Sequence, residues 1–175
     1  MSTNPAISFK EVQTVEERQM LRGIAEPVWR ICYAEILSPE QMVYMLDWMY
    51  SPETIIKEQA QGTKFFIIYS SYSATPIGLI SIDTVPDAET GGVELHKLYT
   101  NASYWGKGIG QAALDFATEQ AKLANASYIE LRVNKCNTRA VTAYERNGFY
   151  KHHEHCLDIG NGFVMDDFIM RKNIQ

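Results

Sequence analysis

Cysteine is scarce in this chain. Its 175 residues include three, Cys32, Cys136 and Cys156. The number is odd and no C-x-x-C spacing occurs, which excludes a disulfide scaffold or a cysteine-built zinc site and leaves reduced thiols as the expectation. Long apolar runs are missing too. No window reaches the roughly 18 uncharged apolar residues of a membrane span. Residues 1–5, MSTNP, lack the basic start and apolar run of a secretory signal. A cytoplasmic chain with no membrane partner is therefore expected. The net charge is −5 with no basic block. A nucleic-acid groove needs clustered cations, so that partner is disfavoured, whereas a cationic ligand is compatible. Repeats, low-complexity tracts and long linkers are also absent. What remains is ordinary globular material, 46% hydrophobic and 21% charged, of a length that suits one domain over residues 1–175.

Periodicity supplies the elements. Residues 6–12 alternate as a first strand. Residues 15–34 carry Val15, Met20, Leu21, Ile24, Val28 and Ile31 at helical spacing, near Trp29 and Tyr33. Pro27 lies inside that window and predicts a kink or break. Ser38 and Pro39 open a second helix, where Gln41 would complete a capping box, and Ser51 and Pro52 repeat the pattern. Residues 64–72, 76–85 and 92–100 read as strands of an antiparallel meander. Helical spacing returns over 108–124, with Ile109, Ala113, Leu114, Ala117 and Ala121 on one side. A strand over 128–133, a helix over 137–147, and strands over 149–158 and 163–171 follow. Gly160-Asn161-Gly162 provides a hairpin turn between the last two. The order β-α-α-β-β-β-α-β-α-β-β predicts a mixed α/β (α+β) protein.

Trp105-Gly106-Lys107-Gly108-Ile109-Gly110 connects a strand to a helix. Glycines let the backbone approach a ligand, and the free N–H groups of a helix start attract anions. A phosphate or pyrophosphate is the natural ligand, with Lys107 adding a cation. A tight turn that merely packs a helix is the plainer alternative. A dinucleotide fold is another, because residues 108–113 match G-x-G-x-x-A and Glu130 lies about twenty residues on. Residues 101–105 intervene between strand and turn, however, and the strand–helix unit is not repeated. No G-K-[ST] occurs, so a Walker A loop is excluded.

Residues 137–149 read N-x-x-A-x-x-x-Y-x-x-x-G-F. Asn137 suits an N-cap, Ala140 and Tyr144 share a helix face, and Gly148 fits the C′ position. Alone this is a capped amphipathic helix. Together with the glycine turn it resembles the GCN5-related N-acetyltransferase (GNAT) superfamily over essentially the whole chain. One departure is Trp105, where the family often has Gln or Arg. A narrower resemblance, to the bacterial spermidine/spermine acetyltransferases, rests on residues 29–66, notably Trp29, Tyr33, residues 36–42 and 64–67.

The resemblance implies a mostly antiparallel sheet of about seven strands, splayed at the cofactor site and flanked by helices. It implies acetyl-CoA (coenzyme A after transfer) as co-substrate, a small-molecule amine acceptor such as a polyamine, and no metal. It allows a homodimer. The backbone of Leu98, Tyr99 and Thr100 would pair with the pantetheine arm, and Trp105, Gly106, Lys107, Gly108, Ile109, Gly110 and Gln111 would hold the pyrophosphate. Asn137, Ala140 and Tyr144 would lie along pantetheine and thioester, and Arg146 would meet a CoA phosphate. Trp29, Tyr33 and Glu94 are candidates for the acceptor. Transfer requires an unprotonated amine, a polarised carbonyl and a proton for the leaving thiolate. Tyr144 is the candidate acid. Glu94 and His96, two apart on one strand face, are candidate bases. Acetylation of a protein N-terminus or lysine, and CoA binding without turnover, stay open.

Other residues read more plainly. His152, His153 and His155 are expected as solvated strand histidines, and Cys136 as a bystander. Glu35, Glu40, Asp47, Asp166 and Asp167 read as solvated acidic surface, although each would suit a cationic substrate.

Overall fold

The computed structural model describes residues 6–174. The reading of residues 1–5 as lacking a secretory signal lies outside them. The order is β1 (Ile7–Glu11), α1 (Val15–Cys32), α2 (Pro39–Met49), α3 (Pro52–Ala60), β2 (Thr63–Ser70), β3 (Gly78–Asp83), β4 (Gly92–Thr100), α4 (Ile109–Leu123), β5 (Tyr128–Asn134), α5 (Thr138–Arg146), β6 (Tyr150–Gly160) and β7 (Phe163–Asn173). Three helices precede β2, matching the starts read at residues 15, 38 and 51, although the expected order counts only two. A short 3₁₀ turn, Ala102–Tyr104, leads into the glycine segment.

Local chemistry explains most boundaries. Thr14 and Glu17 form a reciprocal capping box at α1. Ser38 caps α2 by accepting from the Gln41 N–H at 3.1 Å, but the box is only half made. The Gln41 side chain instead donates to the Val164 carbonyl at 2.7 Å and ties α2 to β7. Ser51 caps α3 through the Thr54 N–H. The expected break at Pro27 does not occur, because α1 runs on to Cys32. Its buried stripe is Leu21, Ala25, Val28 and Trp29, while Val15, Met20 and Ile31 are exposed. Tertiary packing selects one of two overlapping apolar faces.

The seven strands form one sheet in the order β1-β2-β3-β4-β5-β7-β6. Every neighbouring pair is antiparallel except β4 and β5. The parallel pair matches only Gly92–Leu95 with Tyr128–Leu131. Beyond Leu95 the strands part, leaving a wedge between the second half of β4 and the end of β5. Helices α4 and α5 cover one face, burying Ile109, Ala113, Leu114, Ala117, Ala121 and Val141 over β-strand residues such as Val93, Leu95 and Leu131. Helices α1, α2 and α3 cover the other, around Leu21, Trp29, Met45, Leu46, Ile55, Phe65 and Ile67. A bulge sets Ser81 opposite Lys97 but Ile82 opposite Leu95, so His96 is the unmatched residue of β4. No helix among the described residues is long and apolar enough to cross a membrane.

Candidate active site

The wedge opens into a cavity of about 420 Å³ on the α4/α5 side. Its walls include Leu98, Tyr99 and Thr100 of β4, Trp105, Gly106, Gly108, Gly110 and Gln111 of the glycine segment, and Asn137, Ala140, Tyr144 and Arg146 of α5 with its cap. Two expected cofactor residues do not face it. Ile109 is buried in the core beneath α4, and the Lys107 ammonium lies 5.1 Å from the Tyr104 ring centre. Their side chains stay outside the cavity wall, which the glycines on either side of them help to form.

Gly106 and Gly108 adopt φ of 74° and 80°, the left-handed region where a side chain is strained. A Cβ at Gly106, Gly108 or Gly110 would meet nothing within 4 Å, so the loop presents bare backbone to open space. No side chain caps α4, and its first N–H groups lack intrahelical partners. This cradle fits a pyrophosphate. Trp105 supports it from behind. Its indole donates to the Thr100 carbonyl at 2.9 Å, and its ring lies 3.3 Å from the Arg139 guanidinium carbon. The Arg139 stack was not foreseen, since nothing in the spacing links the glycine segment to α5.

Asn137 caps α5 through the Ala140 N–H at 3.2 Å. One helix turn beyond Ala140, Tyr144 packs edge-on against Phe149. Burial raises its pKa above the ordinary tyrosine value, and the neighbouring Tyr33 and Cys32 add to the shift. The phenol therefore keeps its proton at neutral pH. Burial likewise pushes Tyr33 up to about 12.

A second cavity of about 270 Å³ lies on the opposite face of the sheet, beneath α1 and α2. Trp29, Tyr33, Leu37, Met45, Trp48, Met49 and Met165 form its apolar wall, and Glu58, Glu94 and Asp167 bring carboxylates. Four residues line both cavities: Tyr33, His96, Tyr99 and Arg132. The two spaces thus lie back to back across the wedge, with these four residues as their common wall.

Charged side chains cross that junction. His96 Nε2 lies 2.8 Å from Asp83 Oδ1, and His96 Nδ1 lies 3.7 Å from Glu94 Oε1. Arg132 Nε donates to Glu94 Oε1 at 2.9 Å. Burial alone would lower the His96 pKa, but the Asp83 hydrogen bond and the Glu94 and Asp83 charges outweigh it, and the net shift is upward. Glu94 lines only the second cavity, as does Trp29. Asp83 and Arg132 escaped the sequence reading because neither belongs to a local pattern. They reach the site through the pairing of β3 with β4 and the parting of β5.

Asp166 and Asp167 differ more than expected. Asp166 is exposed and paired with Lys135 at 2.6 Å. Asp167 is 4% exposed, which overturns its reading as solvated surface; alternation along β7 turns it inward. Glu130 pairs with Arg171 at 2.7 Å in a largely antiparallel sheet, so it is not poised as the ribose-binding acid of a dinucleotide fold. His152 and His153 are exposed on β6. Among the described residues, no group of three or more His, Cys, Asp or Glu is arranged to hold a metal ion.

The acetyltransferase (GNAT) family model matches residues 25–149. The chain belongs to that family. It is 26% identical over 165 residues to the spermidine N(1)-acetyltransferase of Thermoplasma acidophilum, covering 93% of this chain and 94% of that protein. The crystal structure of PaiA N-acetyltransferase from Thermoplasma acidophilum, in complex with coenzyme A, superposes with a TM-score of 0.75 at 25% identity. It covers 96% of this chain and 99% of that one. A spermidine N-acetyltransferase from Vibrio cholerae, solved with CoA and spermine, shares the fold at a TM-score of 0.67 and 15% identity, covering 96% and 95% of the two chains.

Proposed function

We propose that this chain is an N-acetyltransferase that carries the acetyl group of acetyl-CoA directly to a primary amine of a small, cationic, polyamine-like molecule. The observation that carries this reading is the meeting of two unlike cavities at His96, Tyr99, Tyr33 and Arg132. One has a bare-backbone anion cradle. The other is walled by aromatics, methionines and carboxylates.

When bound, acetyl-CoA supplies an activated acetyl thioester. The N–H groups of residues 106–111 hold its pyrophosphate, helped by the positive end of α4. The free edge of β4 at Leu98, Tyr99 and Thr100 pairs with the pantetheine arm, and Asn137 and Ala140 flank it. Arg146, at the mouth, meets a phosphate. Trp105 and Arg139 brace the cradle rather than replace its backbone.

His96 is the base of choice over Glu94. It reaches the junction of both cavities, whereas Glu94 is held by Arg132 on the acceptor side. Asp83 orients the imidazole and stabilises its protonated form, as a carboxylate does in other His–Asp pairs. The amine gives its proton to His96 and attacks the acetyl carbon, whose bond to sulfur breaks. Tyr144 then gives a proton to the departing sulfur.

The test is thiol release from acetyl-CoA against polyamines, amino acids, aminoglycosides and peptides. Release with small polycationic amines supports the reading. Release only with peptides moves the acceptor to proteins. CoA binding without release to any acceptor makes the chain a binding module and overturns it.

A further inference from the structure

Asp167 is the acceptor cavity's unsolved electrostatic problem. It sits in the middle of β7, opposite Asn134 on one side and His155 on the other. Its neighbours Phe168 and Met170 pack toward α4 and α5, whereas Met165 and Asp167 line the second cavity. The residue is 4% exposed. Among the described residues its carboxylate has no hydrogen bond and no ion pair. The cavity's other acids are matched. Glu58 takes the Lys97 ammonium at 2.8 Å, and Glu94 takes Arg132 at 2.9 Å. Asp83, just behind, takes His96. One negative charge is left over, and it is Asp167.

A carboxylate with little access to water and no direct partner is costly to the fold. Burial pushes its pKa up to about 6, with Arg132 opposing and Asp166 adding to the shift. Such a group is satisfied when a ligand brings the missing cation. That cation is not the reacting amine, which must be neutral to attack. It is a second amine on the same molecule. The same cavity is lined by Met45, Met49, Met165 and Trp48, an apolar surface that suits methylenes.

We infer that Asp167 is a specificity-determining residue that anchors a second, non-reacting ammonium, so that the acceptor is a linear alkyl chain bearing at least two amines. This rests on the acetyltransferase reading above. It adds to it a residue, a charge and a chain topology.

The experiment compares α,ω-diamines of increasing chain length with n-alkylamines of matched length, using thiol release for wild type, Asp167→Asn and Asp167→Glu. A charge-assisted contact in a buried site predicts a diamine preference of roughly ten- to hundredfold in kcat/KM, carried by KM. Asp167→Asn should collapse that ratio to near one, with CoA affinity serving as the check on folding. Asp167→Glu reaches one methylene further and should move the best diamine to a shorter chain. Equal use of diamines and monoamines by wild type, or a preference that survives in Asp167→Asn, overturns the inference while leaving the acetyltransferase reading intact. If wild type binds CoA but acetylates no amine, that reading fails instead. Calorimetric titration of a diamine into the CoA complex then decides the anchor, since Asp167→Asn must weaken binding by roughly tenfold or more.

Discussion

The two cavities are built on opposite plans. The α4/α5 side centres on backbone features, a glycine segment, a helix start and a strand edge that are close in sequence, with Val28, Cys32 and Tyr33 from the end of α1 added to the wall. The α1/α2 side is made of side chains delivered by three helices and by strands from the middle of the sheet to its edge at β6. Backbone sites tolerate sequence drift and bind one invariant partner well. Side-chain sites can be retuned one residue at a time, which suits a variable acceptor. The departure at Trp105 illustrates the first plan, since an unusual side chain there leaves the N–H cradle in place.

The largest effect expected lies where the two meet. Tyr144→Phe should lower kcat by ~10²–10⁴-fold if proton donation to sulfur limits turnover, with CoA affinity retained by calorimetry. Unchanged turnover would remove Tyr144 from the chemistry. Gly108→Val attacks the backbone plan directly. A β-branched residue at φ of 80° costs ~1–2 kcal/mol or forces the loop to move. CoA should bind roughly tenfold more weakly, while diamine binding to the opposite cavity changes little. Equal losses at both would mean that the cavities are not independent.

Lys97→Met probes the side-chain plan. The Lys97–Glu58 pair is buried on the lysine side, with Lys97 2% exposed and Glu58 25%. Breaking a fully buried pair costs about 3–5 kcal/mol; a partner still in reach of water reduces this to about 2 kcal/mol, read by urea unfolding. Removing both charges, in Lys97→Met with Glu58→Gln, should recover most of the loss.

The smallest effect is a shift along the pH axis. His96 works as a base only when neutral, so kcat/KM should rise with pH through its raised pKa. Burial lowers that pKa and Asp83 raises it. Asp83→Asn should therefore move the rising limb to lower pH. The same linkage affects stability. The raised His96 pKa stabilises the fold fully below the unfolded value near 6.5, and the contribution fades as pH climbs through the folded pKa. Asp83→Asn should flatten that slope in thermal melts taken across pH. An unmoved limb would pass the base role to Glu94.

Legibility followed the same divide. Helix α4, its five buried residues and the glycine turn were readable because periodicity, helix starts and positive-φ positions are local properties of a few consecutive residues. So were the Asn137 cap and the hairpin at Gly160-Asn161-Gly162. Reading failed where one local rule met a competing contact. Gln41 has capping-box chemistry, yet its amide is taken by Val164 on a strand far along the chain. Pro27 forfeits one helical hydrogen bond, but α1 stays continuous through it, with Val28 and Trp29 buried beside it. The apolar residues of α1 fit two overlapping stripes, and only the sheet beneath selects one.

The amino-acid order by itself determined the class of fold, the bare glycine turn at the start of α4 and the polarity of the α5 helix with its inward Tyr144. These depend on φ preferences, caps and spacing, which short segments carry with them. Only the tertiary structure decided that Asp83, His96, Glu94 and Arg132 form one charged line, and that Asp167 rather than Asp166 is buried without a partner. Strand order, a one-residue bulge and the parting of β4 from β5 bring together residues that are far apart in sequence. No local preference encodes that meeting.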